Sequence, residues 1–162
     1  LYQLTRTYGF TLGGIAFKKD NTLETTAVVG VDEEYADDVE QYRQWRMSTP
    51  VDIAPKAGVI GACAYYGNHI FIPDISDIAH LPMTANDQEA LEHVTKPRTF
   101  LTIPIKCHDQ IIGVLYMVKL FKKGAVKDDD ISTLTALASY IGIAVENSDL
   151  YAIAKPLKDP PL

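Results

Sequence analysis

Hydrophobic and polar positions change period several times along the chain, and the changes mark out its elements. Leu1 and Leu4 stand at helical spacing, so residues 1–8 read as the end of a helix. Thr11–Lys18 and the Thr- and Val-rich Leu23–Val29 then flank a polar Lys19-Asp20-Asn21, which predicts a β-hairpin. Val31, Tyr35, Val39 and Tyr42 fall at i, i+4, i+8 and i+11 of a polar stretch. That spacing predicts a surface helix over Asp32–Trp45, with Asp32, Glu33 and Glu34 at its positive end. Pro50 interrupts the pattern. Pro55 then precedes the apolar Ala57–Tyr66, a second helix closed by Gly67-Asn68.

The second half reads similarly. His69–Pro73 is a strand, Asp74–Thr84 a loop, and Asn86–His93 a short helix with Asn86 as cap and Glu89 in the capping-box position. Thr99–Lys106 and Ile111–Lys119 are the strongest strand signals, joined as a hairpin by Cys107-His108-Asp109-Gln110. Ile111–Leu115 is continuously apolar, which predicts a central strand covered on both faces. After the acidic Asp128-Asp129-Asp130, the residues Ile131, Leu134, Ala138, Ile141 and Val145 step by 3, 4, 3 and 4. Leu137, Ala144 and Tyr151 form a second apolar edge. The pattern runs to Ala154, a helix about 40 Å long. Lys155–Leu162, with three prolines, reads as a linker. The expectation is one α+β domain over 1–154.

Composition narrows this further. A chain of 162 residues, 47% hydrophobic, buries enough surface to fold as one domain without a staple. A net charge of −6 gives no basic field for nucleic acid. No apolar run reaches the roughly 18 residues of a membrane span. Cys63 and Cys107 form no CxxC pair, and the four histidines form no i, i+4 pair, so no metal site is expected. His80, three residues after Asp77, is the nearest approach to one. The thiols read as reduced, and the domain as cytoplasmic. Since Leu1 is not a methionine, the expectation is a piece of a longer protein.

Five segments carry a resemblance. Gly58-Val59-Ile60-Gly61 and Ile72-Pro73-Asp74-Ile75-Ser76-Asp77 are followed by Phe100-Leu101-Thr102-Ile103-Pro104-Ile105 and Ile111-Ile112-Gly113-Val114-Leu115. Ala144-Val145-Glu146-Asn147-Ser148-Asp149-Leu150-Tyr151 closes the series. In this order they resemble the GAF domain family of small-molecule sensor modules. The resemblance implies a six-stranded antiparallel sheet, with a pocket on one face and N- and C-terminal helices on the other. It also implies a place in a bacterial signalling protein, linked to an output domain such as a kinase, cyclase or HD-type phosphodiesterase.

The special chemistries of the family fit poorly. Of the family's cyclic-nucleotide motif only Lys119 and Asp130 are matched. In the sulfoxide-reductase branch a catalytic cysteine stands at the place of Ile60, with a second between Pro82 and Thr99. Cys63 lies three residues past the first place, and the second is absent. Covalent pigment attachment would need a cysteine between Asp74 and Arg98, where none occurs.

A non-covalent pocket remains, with Phe17, Trp45, Met47, Gly58, Val59, Cys63, Tyr65, Asp74, Arg98 and Thr102 as candidates. The free N–H groups at Ala57-Gly58-Val59 suit an anion. The domain thus reads as a non-catalytic sensor, with no certain cofactor. A parallel homodimer through Leu1–Thr7 and Thr133–Tyr151 is expected, with Leu4, Leu137, Ala144 and Tyr151 as interface candidates, and the alternative function is a ligand-free dimerisation module.

Overall fold

A computed structural model describes residues 1–78 and 82–148, together with the helical backbone to residue 154. The elements run α1 (Tyr2–Thr7), β1 (Leu12–Lys19), β2 (Thr22–Gly30), a 3-10 turn (Glu33–Tyr35), α2 (Ala36–Ser48), β3 (Val51–Asp52) and α3 (Gly58–Tyr66). They continue as β4 (Ile70–Ile72), α4 (Ile75–Ile78), α5 (Ala85–His93), β5 (Pro97–Cys107), β6 (Gln110–Leu120) and α6 (Asp128–Ala154). The strands form one antiparallel sheet in the order β3-β2-β1-β6-β5-β4.

β6 lies at the centre, as its unbroken apolar run requires. Alternation along the strand sends Val114, Tyr116 and Val118 into one core and Leu115 and Met117 into the other. The first core is closed by α2 and α3, through Val39, Tyr42, Ile60 and Cys63, and by Val94 just past the end of α5. The second is closed by α6, whose Ile131, Leu134 and Ala138 meet Leu101, Ile103 and Ile105 of β5. Leu4 of α1 and Leu1 at its N-cap pack against this second core. At Gly142 a Cβ would stand 2.2 Å from the Lys106 carbonyl oxygen, so glycine is what lets α6 approach the end of β5.

The structure amends the sequence reading in several places. The β5–β6 link is only His108-Asp109, both at positive φ as a tight hairpin turn demands. α5 is capped by Thr84, whose hydroxyl accepts the Asp87 N–H at 3.2 Å, and not by Asn86. The stretch expected as loop holds α4, begun by Asp74 accepting both the N–H and the hydroxyl of Ser76. β3 is two residues long and leaves no pattern to find. Residues 155–162, read as linker, lie outside the described residues.

Candidate functional site

Between the sheet and the short helices above it lies a cavity of about 100 Å³. Its floor includes Phe100 and Val118, which face each other across the β5–β6 register. Its walls are apolar: Tyr42 from α2, Ile60 from α3, Ile72 from β4, and Ile75, Ile78, Met83 and Leu91 from the covering segment. Four short elements meet here instead of one long one, and their ends do not fill the space.

Most polar atoms at the rim are already matched. Gly58 opens α3 at φ +84°, a left-handed conformation glycine adopts without strain, and a Cβ there would press on Asp87 Oδ1 at 2.8 Å. The Asp87 carboxylate accepts the Val59 N–H at 3.0 Å and the Thr84 hydroxyl at 2.9 Å. Asn86 Nδ2 donates to the Ala57 carbonyl at 2.9 Å. The anion expected at the start of α3 is therefore a side chain of α5, which pins the cover to the helix.

Arg46 is different. It lines the cavity and is 3% exposed. One terminal nitrogen donates to the Thr49 carbonyl, and the guanidinium lies 4.4 Å from the Trp45 ring centroid. Its Nε has no partner, and no carboxylate among the described residues forms an ion pair with it.

A polar latch closes the other end of the cover. Asp74, 6% exposed, receives Arg98 Nε at 3.1 Å and Arg98 Nη2 at 2.6 Å. The Arg98 hydrogen bond, with that from Ser76 next, holds the Asp74 carboxyl well below the usual carboxylate range. Lys123 Nζ stands 3.9 Å from the same carboxylate. Beside it the Thr99 hydroxyl donates to the Pro73 carbonyl at 2.9 Å and accepts the Gly124 N–H at 2.8 Å. One side chain thus ties the root of the cover to the segment that leads into α6.

The structure separates the residues singled out from the sequence. Gly58 and Val59 line the cavity. Asp74 and Arg98 pair with each other at its edge. Trp45 stacks on His93 with centroids 4.5 Å apart and donates to Glu89 at 3.3 Å, clamping α2 to α5. Cys63 and Thr102 are buried outside the lining, and burial pushes the Cys63 thiol up to about 11. Phe17 packs against the α6-side core, because β1 alternates and its neighbour Ala16 takes the cavity side. Met47 and Tyr65 point to solvent, since they follow the buried Arg46 and Ala64 by one residue and a single helical step turns them outward.

On α6, Leu137 is half-buried and Ala144 exposed, while the outermost large apolar side chains are Tyr140 and Ile143. Leu4, expected on an outer edge, is half-buried against the inner core. The side chain of Tyr151, and His80 altogether, lie outside the described residues. Sequence reasoning missed Arg46, Asp87 and Thr99. Only Arg46 left a signal: it continues the stripe of Val31, Tyr35, Val39 and Tyr42, four residues further on.

At the far end of the helix face, the Cys107 thiol donates to Glu146 at 3.2 Å, and His108 Nε2 lies 3.0 Å from the same oxygen. These three groups fasten the β5–β6 hairpin onto α6. The hydrogen bond to Glu146, with burial next, pushes the Cys107 thiol up and keeps it protonated.

The fold has many counterparts. It is similar to the GAF domain of a phosphoenolpyruvate-protein phosphotransferase from Coxiella burnetii, with a TM-score of 0.68 at 13% identity over 93% of this chain and 80% of that one. A GAF domain/HD domain protein from Geobacter sulfurreducens matches with a TM-score of 0.65 at 14% identity over 91% and 88%. A type II free methionine-R-sulfoxide reductase from Thermoplasma acidophilum matches with a TM-score of 0.63 at 14% identity over 90% and 86%. At these identities the likeness is one of fold. The family model for the GAF domain matches residues 5–145. With that span covering most of its length, the chain belongs to the GAF domain family.

Proposed function

We propose that this domain is a non-catalytic sensor: a small molecule occupies the cavity, and occupancy is transmitted to α6 and from there to an output domain outside this chain. The observation that carries the reading is the Thr99 bridge. The segment covering the cavity begins at Pro73-Asp74, and both residues are tied to the entry of α6, by Thr99 to Gly124 and by Asp74 to Lys123. A ligand that favours one pose of the cover therefore favours one pose of the entry to α6.

No catalytic group is part of this reading. The thiol in the cavity-side core, Cys63, is fully buried and protonated at neutral pH, so it is a poor nucleophile. The reductase and the signalling proteins among its structural neighbours share the fold. Function within a fold is decided by such groups. No helix among the described residues is long and apolar enough to cross a membrane, and a cytoplasmic setting accords with two free thiols.

The second reading, a ligand-free dimerisation module, is favoured by the outer face of α6. Ala136, Tyr140, Ile143 and Ala144 repeat there at helical spacing and are exposed, with Tyr140 at 68% and Ile143 at 48%. A parallel pair of α6 helices would cover them, and pairing is compatible with sensing. Native mass spectrometry of the purified domain separates the two. A small molecule carried at stoichiometric level supports the sensor, and an empty dimer at every concentration supports the scaffold.

A further inference from the structure

The cavity holds one unmatched charge in an apolar chamber, and that asymmetry specifies a ligand class. Arg46 is always protonated at physiological pH. It is almost completely removed from water, yet it has only a backbone carbonyl and an aromatic face for company. Buried charges are ordinarily paired, because desolvation without a counterion is costly. The one acid in the described lining, Asp87, is engaged by the Val59 N–H and the Thr84 hydroxyl and forms no ion pair with Arg46. Arg46 is thus half of an ion pair whose other half is not part of the described chain.

From this we infer that the cavity takes a small organic monocarboxylate, its carboxylate accepting from the Arg46 guanidinium and its apolar body lying against Val51, Ile60, Ile72, Ile78, Met83 and Phe100. The inference rests on the sensor reading and names the ligand class of that same site. Three features set the class. A guanidinium fork matches a planar carboxylate. The remaining wall is apolar, so an inorganic anion would leave most of its oxygens without donors. Of the other side chains in the lining able to donate, Asn86 gives Nδ2 to Ala57 and Tyr42 has a single hydroxyl proton, so a second anionic group on the ligand would be buried with at most one side-chain donor. The free space of about 100 Å³ suits a body on the order of six carbon atoms, since an engineered apolar cavity of similar scale admits benzene.

The test is calorimetric titration of the domain with straight-chain carboxylates of four to eight carbons, benzoate and phenylacetate. Hexanamide serves as neutral isostere, and nitrate and phosphate as bare anions. The expected result is that at least one acid binds, hexanoate binds at least tenfold more tightly than hexanamide, and Arg46→Gln abolishes the difference. Arg46→Met, which removes an unpaired buried charge, is expected to melt no lower than the unliganded wild type, whereas a purely structural arginine predicts a lower melting temperature. Equal binding of hexanoate and hexanamide, preference for nitrate or phosphate, or failure of every acid to bind overturns the inference. The wild-type comparison stands even if a variant misfolds. An acid-to-amide ratio of one with retained binding defeats the Arg46 assignment and leaves the sensor reading intact. Binding of the acid with no response in α6 defeats the sensor reading and leaves the assignment intact.

Discussion

On the α6 face of the sheet, Leu101, Ile103, Ile105, Leu115 and Met117 are fully buried beneath Ile131, Leu134 and Ala138. On the opposite face the same two strands, β5 and β6, offer Phe100 and Val118 to a cavity roofed by four short helices. One long helix laid along a sheet packs side chain against side chain over its whole length. Four short helices meet at their ends, and ends carry unsatisfied backbone groups that need polar partners. Asp87, Thr84, Asn86 and Asp74 supply those partners on the cavity face. The contrast teaches that a single continuous helix closes one face without a gap, while the short elements on the other, though they bury the larger core, leave room and an unpaired charge among them.

Truncation tests that contrast most severely. Leu134→Ala removes a fully buried side chain from the tight face and is expected to cost about 2–5 kcal/mol in chemical denaturation. Met83→Ala, in the wall of an existing cavity, loses few contacts and is expected to cost less than about 1.5 kcal/mol. Equal costs would erase the difference between the faces. Gly142→Ala comes next. Its Cβ would run into backbone rather than a yielding side chain, so a loss of about 1–3 kcal/mol is expected, with faster amide exchange in α6 as the helix is pushed off β5.

The smallest expected effect is an order of events in acid. Asp74 is held well below the usual range by Arg98, and Glu146 is held below it by the Cys107 thiol. A depressed carboxylate contributes stability above its unfolded value, and that stability is lost as pH falls through the folded value. Both contributions are therefore constant from pH 7 to about pH 5. Because the Asp74 depression is the larger, the Glu146 clasp on the helix face should loosen first. Amide exchange of Gly142 and Ser76, followed from pH 5 downward, reads the two separately. Loss of Ser76 protection first would reverse the assignment of the stronger latch.

The sequence carried the sheet well and the site poorly, for one reason. Strand alternation and helix periodicity are properties of a single element, so β5, β6 and α6 could be read from their own residues. The cavity is made where elements meet. Phe17, Met47 and Tyr65 read as inward residues of their own elements, and the structure turns them to the opposite core or to solvent. Arg46 reads as one more charge on a polar helix until α2 is docked with Val39 and Tyr42 inward, which carries Arg46 inward as well. Asp87 and Thr99 take their roles from partners 28 and 25 residues away, a distance no local pattern spans.

Hydrogen exchange with and without hexanoate tests the central claim, that the cavity is read at α6. The account predicts slower exchange in the cover, residues 82–93, together with altered exchange in residues 123–145. It further predicts that Thr99→Val, which removes both bonds of the bridge, preserves the first change and abolishes the second. Protection confined to the cover of the wild-type domain, with residues 123–145 unmoved while hexanoate is bound, would contradict it.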